Sequence, residues 1–118
     1  MTETLAIALC QIEPLVGDID GNVSRILKAR AEVAAKGADL AIFCELVVSG
    51  YPPEDLVQKP AYQRACMAAV ERLAKETADG GPAMIVGSPW RAGDALHNSA
   101  FLLTDGKIAA RRDKVRLP

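Results

Sequence analysis

Gly37-Ala38-Asp39-Leu40-Ala41-Ile42-Phe43-Cys44-Glu45 is the stretch on which the reading of this chain turns. Ala38 to Phe43 is short, nearly all apolar and entered through a glycine, which is how a buried strand of an α/β sheet reads. A carboxylate follows the run at once. Ends of buried strands are where α/β proteins place chemical groups, so Glu45 is the first candidate site residue. On periodicity alone the blander reading, a surface residue at a strand terminus, stays open.

Working back toward the amino terminus, Val23, Ile26, Leu27, Arg30, Ala31 and Ala34 recur at helical spacing, with Asp20 or Asn22 as candidate caps. Gly37 is the expected left-handed stop of that helix. Before it, Leu5 to Ile12 is apolar on nearly both faces and reads as a first, doubly covered strand. Strand, helix, strand implies a parallel pair or a wider mixed sheet.

Working forward, Ser49-Gly50-Tyr51-Pro52-Pro53 predicts a rigid irregular loop. From Tyr62 a second helix places Ala65, Cys66, Ala69, Val70, Leu73 and Ala74 on one face and charges on the other, with Pro60 in its first turn. Asp79-Gly80-Gly81-Pro82 stops it, and Ala83 to Gly87 reads as another apolar strand. Asn98 to Thr104 and Lys107 to Arg112 bracket Asp105-Gly106, a pair suited to the two-residue turn that matches strand twist, so a hairpin is predicted. The expected fold class is α/β: a mixed sheet with two helices on one face and a second face that something else must cover.

The chain has 118 residues, half of them hydrophobic and a quarter charged, which sets one domain as the ceiling. Fourteen basic and fifteen acidic residues give a net charge of -1 with no long block of either sign, so neither nucleic acid nor anionic lipid is an expected partner. The first residues lack the basic start of a secretory signal, and no apolar run reaches the roughly 20 residues that span a bilayer. Cys10, Cys44 and Cys66 are odd in number and each sits in an apolar segment, which predicts buried free thiols and a cytoplasmic protein. Asp18-x-Asp20-Gly21-Asn22 starts like a calcium loop but carries Ala29 at the twelfth position, so no metal is expected. Consecutive residues of a strand face opposite ways, which argues against Cys44 acting as a nucleophile with Glu45 as its base. His97, the one histidine, reads as hairpin structure.

Phe43-Cys44-Glu45-Leu46-Val47-Val48-Ser49-Gly50-Tyr51-Pro52-Pro53-Glu54-Asp55-Leu56 resembles the glutamate-bearing signature of the nitrilase (carbon-nitrogen hydrolase) superfamily. Its Gly-Tyr-Pro-Pro-Glu-Asp-Leu ending is most similar to the glutaminase domains of glutamine-dependent NAD synthetases. Lys114-Val115-Arg116-Leu117-Pro118 is similar to the family's second motif, a catalytic lysine just ahead of a Leu-Pro pair. Cys44 departs from the pattern, since members commonly have proline there.

The resemblance implies a nitrilase-like αββα sandwich of which residues 1–118 are the first half. It implies a Glu-Lys-Cys triad in which Glu45 is the general base, Lys114 stabilises the oxyanion, and the nucleophilic cysteine lies beyond Pro118. Tyr51 is a candidate glutamine-pocket residue, with loop stiffening as its alternative. Glutamine would be the substrate, with no cofactor for the glutaminase part. ATP, magnesium and deamido-NAD would serve only a synthetase domain outside this chain. A homo-oligomer is expected. Two alternatives remain: part of a stand-alone amidase or carbamoylase, and a non-catalytic interaction module.

Overall fold

A computed structural model describes residues 3–52 and 54–114, with Glu54 by its backbone alone. Pro53 of the loop and Val115, Arg116, Leu117 and Pro118 of the second motif lie outside the described residues. The elements in chain order are β1 (Ile7–Leu9), α1 (Ile19–Ala35), β2 (Leu40–Ile42), α2 (Glu54–Val57) and α3 (Pro60–Glu76). A 3-10 turn (Thr77–Asp79), β3 (Ala83–Ala92), β4 (Ala95–Thr104) and β5 (Lys107–Asp113) follow. The five strands form one mixed sheet in the order β1-β2-β3-β4-β5, parallel from β1 to β3 and antiparallel from β3 to β5.

The helices α1 and α3 pack over one face, as the two apolar stripes predict. Val23 and Ile26 of α1 and Val70 and Leu73 of α3 meet Ala41, Met84, Val86, Phe101 and Leu103 of the sheet, each at most 1% exposed. Trp90 and Phe101 add a tilted aromatic pair with ring centroids 5.0 Å apart. Arg30 sits on the same stripe and is buried. Its guanidinium donates to both carboxylate oxygens of Asp79 at 2.8 and 2.9 Å and to the carbonyl of Pro82 at 2.9 Å, which ties α1 to the end of α3 and the start of β3. That geometry explains how a cation can occupy a core-facing position.

Several boundaries differ from the sequence reading. The helix α1 starts at Ile19 with Asp18 as its cap, accepting from the Gly21 amide at 3.1 Å, and neither Asp20 nor Asn22 fills that role. Asn22 is instead fully buried and bridges loops, bonding Leu15 through both amide and carbonyl and donating to the Val48 carbonyl at 3.0 Å. The first strand pairs only over Ile7–Leu9 and is not doubly covered, because Ile7 and Leu9 are 52% and 76% exposed.

The strand β3 runs five residues past Gly87, where the sequence reading ends it, and folds back through Gly93-Asp94 into β4 as a hairpin. Proline is tolerated there because β2 pairs with β3 only as far as Ile85, leaving the amide side of Pro89 without a strand partner. The second hairpin is as predicted: Asp105 (φ 53°) and Gly106 (φ 79°) both take the left-handed conformation that its two-residue turn demands.

The face opposite the helices carries a continuous apolar row. The register places Leu9, Ile42, Ile85, Leu102 and Ala110 side by side across all five strands. The αββα expectation assigns this face to a second layer, and none of the described elements covers it.

Candidate active site

The C-terminal ends of β2, β3 and β5 lie at one edge of the sheet, since these three strands run the same way. Glu45 leaves the end of β2 and Lys114 follows the end of β5, so parallel direction alone puts both at that edge. The strands they follow, β2 and β5, are not neighbours in the sheet. Two strands, β3 and β4, stand between them, roughly 14 Å of sheet at about 4.8 Å per strand.

The gap closes because the chain after β2 crosses over β3. A Cβ built on Gly87 would stand 2.6 Å from the Leu46 amide nitrogen and 3.2 Å from the Glu45 Cα, so the segment rests on a position where only glycine fits. Leu46 then takes a left-handed conformation (φ 54°), and the Gly50 amide donates to the Leu46 carbonyl at 2.7 Å to close a turn. A non-glycine residue in that region stores on the order of 1–2 kcal/mol of strain. Val48 donates to the Gly87 carbonyl at 3.2 Å, and Gly50 lies against the Val16 backbone, so the loop is held on two sides.

Glu45 is thereby brought to three donors. The Lys114 ammonium donates to Oε1 at 3.0 Å, the Asn98 amide donates to the same oxygen, and the Tyr51 hydroxyl donates to Oε2 at 3.2 Å. Lys114 is itself held by its backbone, whose amide donates to the Asn98 carbonyl at 2.8 Å. The preceding residue, Asp113, accepts from the Ser99 hydroxyl at 2.6 Å and faces Arg111 and His97 at 3.3 and 3.7 Å. His97 is thus part of the hairpin's own structure, as its position predicted.

The charges respond in kind. Hydrogen bonding from Lys114 first, and from Asn98 second, holds the Glu45 carboxyl below its usual range despite some loss of water. Glu45 in turn holds the Lys114 ammonium above its own. Lost solvation, followed by the Glu45 charge, pushes the Tyr51 phenol up. Glu45 is therefore an anion at neutral pH with a proton-accepting oxygen beside a fixed cation.

Glu45, Asn98 and Lys114 line a hollow of about 440 Å³ whose floor includes Ile85, Gly87 and Ala100 on the sheet face that the helices leave bare, and Tyr51 is not among the residues that line it. Cys44 also lines it and is exposed, which corrects the expectation that all three thiols are buried. The alternation argument against a Cys44-Glu45 pair does not apply, because regular pairing ends at Ile42. Even so, the partners of the Glu45 carboxylate among the described residues are Lys114, Asn98 and Tyr51. Cys10 and Cys66 are buried, and burial pushes the Cys66 thiol up to about 11, which suits packing rather than nucleophilic attack.

Asn98, Gly87 and Leu46 have no assigned role in the sequence reading. Only Gly87 left a signal there, a glycine closing an apolar strand, which often marks close approach of another backbone.

Comparisons with known proteins bear on the family and the fold. The Carbon-nitrogen hydrolase family profile matches residues 6–118. The glutamine-dependent NAD(+) synthetase of Rhodobacter capsulatus is 38% identical over 118 residues, covering all of this chain and 21% of its own length. The solved glutamine-dependent NAD+ synthetase of Acinetobacter baumannii superposes with a TM-score of 0.84 at 33% identity, over 95% of this chain and 21% of that one. An amidase from Nesterenkonia sp. AN1 superposes with a TM-score of 0.84 at 27% identity, over 97% of this chain and 44% of that one. Its structure, a glutamate-to-leucine variant, shows covalent addition of the acetamide moiety of fluoroacetamide at the active-site cysteine. The chain thus spans about a fifth of the length of the curated relatives it matches. With the profile running from the first strand to the last residue, the chain belongs to the carbon-nitrogen hydrolase family.

Proposed function

We propose that residues 1–118 are the opening part of the glutaminase domain of a glutamine-dependent NAD+ synthetase, contributing Glu45 as general base and Lys114 as the oxyanion-stabilising cation. The observation that carries this is the Lys114 Nζ to Glu45 Oε1 contact of 3.0 Å, made by residues 69 positions apart. The R. capsulatus and A. baumannii relatives supply the substrate class.

The nucleophile in this reading is a cysteine from outside the described residues, a role supported by the modified cysteine of the Nesterenkonia amidase. A thiol with a reference pKa near 8.5 is mostly protonated at neutral pH, so it needs a base. Glu45 takes the thiol proton as sulfur attacks the side-chain amide carbon of glutamine. The carbonyl oxygen becomes an anion against Lys114, a placement worth on the order of 3 kcal/mol in a water-poor site. Glu45 returns the proton to nitrogen, ammonia leaves, and a thioester remains. A water deprotonated by the same Glu45 then hydrolyses it to glutamate. Tyr51 orients the carboxylate through its bond to Oε2.

Ammonia released here would amidate deamido-NAD in a separate ATP- and magnesium-using domain. The test is glutamine-dependent ammonia release by the protein carrying the complete hydrolase domain. E45Q and K114M are each expected to lower kcat by about a hundredfold or more. NAD synthesis from deamido-NAD should proceed when ammonium is supplied directly. Turnover of simple aliphatic amides with no preference for glutamine would favour the stand-alone amidase instead.

A further inference from the structure

The residue that the sheet places between the two candidate catalytic groups is Asn98, on β4. It holds one with its side chain and the other with its backbone: the amide nitrogen donates to Glu45 Oε1, and the carbonyl accepts the Lys114 amide at 2.8 Å. The side chain of Asn98 is half-buried, and its neighbour Ser99 is buried and bonded to Asp113, so this strand position is anchored on the β5 side as well.

The three donors divide unequally between the two carboxylate oxygens. Among the described residues, Oε1 accepts from both Asn98 and Lys114, whereas Oε2 accepts only from Tyr51. A carboxylate oxygen has two lone pairs, so Oε2 retains one and Oε1 retains none. The donors also differ in kind. In the reaction proposed above, Lys114 also faces the substrate oxygen as negative charge develops there, so its ammonium is shared between that oxygen and Oε1. An amide N–H does not ionise in this range and has no such second duty. The Asn98 donor can therefore stay on Oε1 whether Glu45 is charged or neutral.

We infer that Asn98 is a positioning residue for the amidase reaction, which fixes the Glu45 carboxylate so that Oε2 carries the proton between nucleophile and leaving group. The inference rests on the glutaminase reading above. It assigns the proton path to one oxygen and makes the hold on Glu45 independent of where Lys114 points.

The charged and titratable groups facing Glu45 are Lys114 and Tyr51, and Cys44, Arg112 and Asp113 line the rest of the hollow. Removing a neutral donor changes none of these charges. It does remove a hydrogen bond that favours the ionised carboxylate, so the acidic limb of activity should move to higher pH.

The experiment uses the protein with its complete hydrolase domain, wild type, N98A and N98D, assayed for ammonia release from glutamine across pH 5 to 9. N98A is expected to lower kcat at least tenfold, with KM for glutamine within about twofold, and to shift the acidic limb upward. N98D keeps the shape but sets a second carboxylate against Glu45. Its activity should fall below that of N98A at neutral pH and recover partly as the pH drops and the introduced acid regains a proton to donate. A passive role in strand packing would give both variants the same pH-independent loss, and that result overturns the inference. So does N98A with wild-type kcat and pH profile. NAD synthesis supplied with ammonium should be retained in both variants, which separates this loss from misfolding. Failure of the wild type to release ammonia from glutamine would instead sink the glutaminase reading itself.

Discussion

Gly87 lies directly beneath Glu45: a methyl group added there would stand 3.2 Å from the Glu45 Cα and 2.6 Å from the next amide nitrogen. The carboxylate reaches Lys114 because the β2 to α2 segment can cross β3 at that point without a side chain in its way. The meeting of Glu45 and Lys114 thus depends on an absence of atoms in a strand as much as on the groups themselves.

G87A is accordingly expected to lift the loop and separate Glu45 from Lys114 while leaving the strand pairing intact. Overpacking of this kind destabilises by about 1–3 kcal/mol. The sharper readout is glutamine hydrolysis, which should fall more than thermal stability suggests. Measuring both on the same sample checks it, and a variant that loses stability but keeps full activity would contradict the crossing argument.

Removing Lys114 should raise the Glu45 pKa toward the ordinary value near 4.3, since the lysine is the main cause of its depression. A carboxyl whose folded pKa is depressed adds stability above its unfolded pKa, and that stability is lost as pH falls through the folded value. Wild type should therefore lose stability more steeply than K114M below about pH 4.3. Carbon-detected NMR titration of glutamate carboxyls reads the pKa directly. Both side chains are solvent-exposed, so the difference should shrink at high salt.

The Arg30 to Asp79 pair is a separate acid-sensitive element. Hydrogen bonds from Arg30 hold the Asp79 carboxyl down at about 2, so its contribution persists at neutral pH and drains away as pH falls from about 4 toward 2. R30A removes a buried guanidinium that serves two segments and should destabilise by roughly 2–3 kcal/mol. Urea unfolding at pH 7 and pH 2.5 tests this, with a smaller difference between wild type and R30A expected in acid.

Phe101 is the largest fully buried side chain and packs against Trp90 over the helix-covered face. F101A should cost about 3–5 kcal/mol, because the aromatic stack leaves a cavity that β4 cannot collapse into while paired on both sides. Chemical denaturation measures it. A cost below 1 kcal/mol would mean that the core is not organised around this strand.

The bare sheet face predicts self-association of the 118-residue chain. Leu9 exposes a large apolar side chain in line with Ile42, Ile85 and Leu102, Ile7 does the same beside Leu40, and such rows seek a partner. Size-exclusion chromatography should show species larger than monomer, and I7K with L9K should shift them toward monomer. A clean monomer for the unsubstituted chain would count against this.

Much of this was legible in the residues. Period 3.6 in α1 and α3, the apolar run into β2 and the Asp105-Gly106 pair are local signals, and local chemistry fixes them wherever the chain folds. Glu45 and Lys114 were legible for another reason: each follows the end of a strand, and each sits in a motif of recognisable composition. The β3–β4 hairpin was hidden because Pro89 opposes strand formation in isolation, and only the early end of β2 makes it harmless. Cys44 escaped burial because its strand stops at Ile42, two residues sooner than its apolar neighbours suggest.

The sequence by itself determined the element types, the α/β class and which side chains carry charge into the site. It could not say that two carboxyl-binding donors would come from Asn98 and Tyr51, or that the partners would meet across two intervening strands. Periodicity records which way a side chain faces relative to its own backbone. Distance between elements depends on sheet order, on the crossing at Gly87 and on the left-handed turn at Leu46, and those are set only when the whole sheet is assembled.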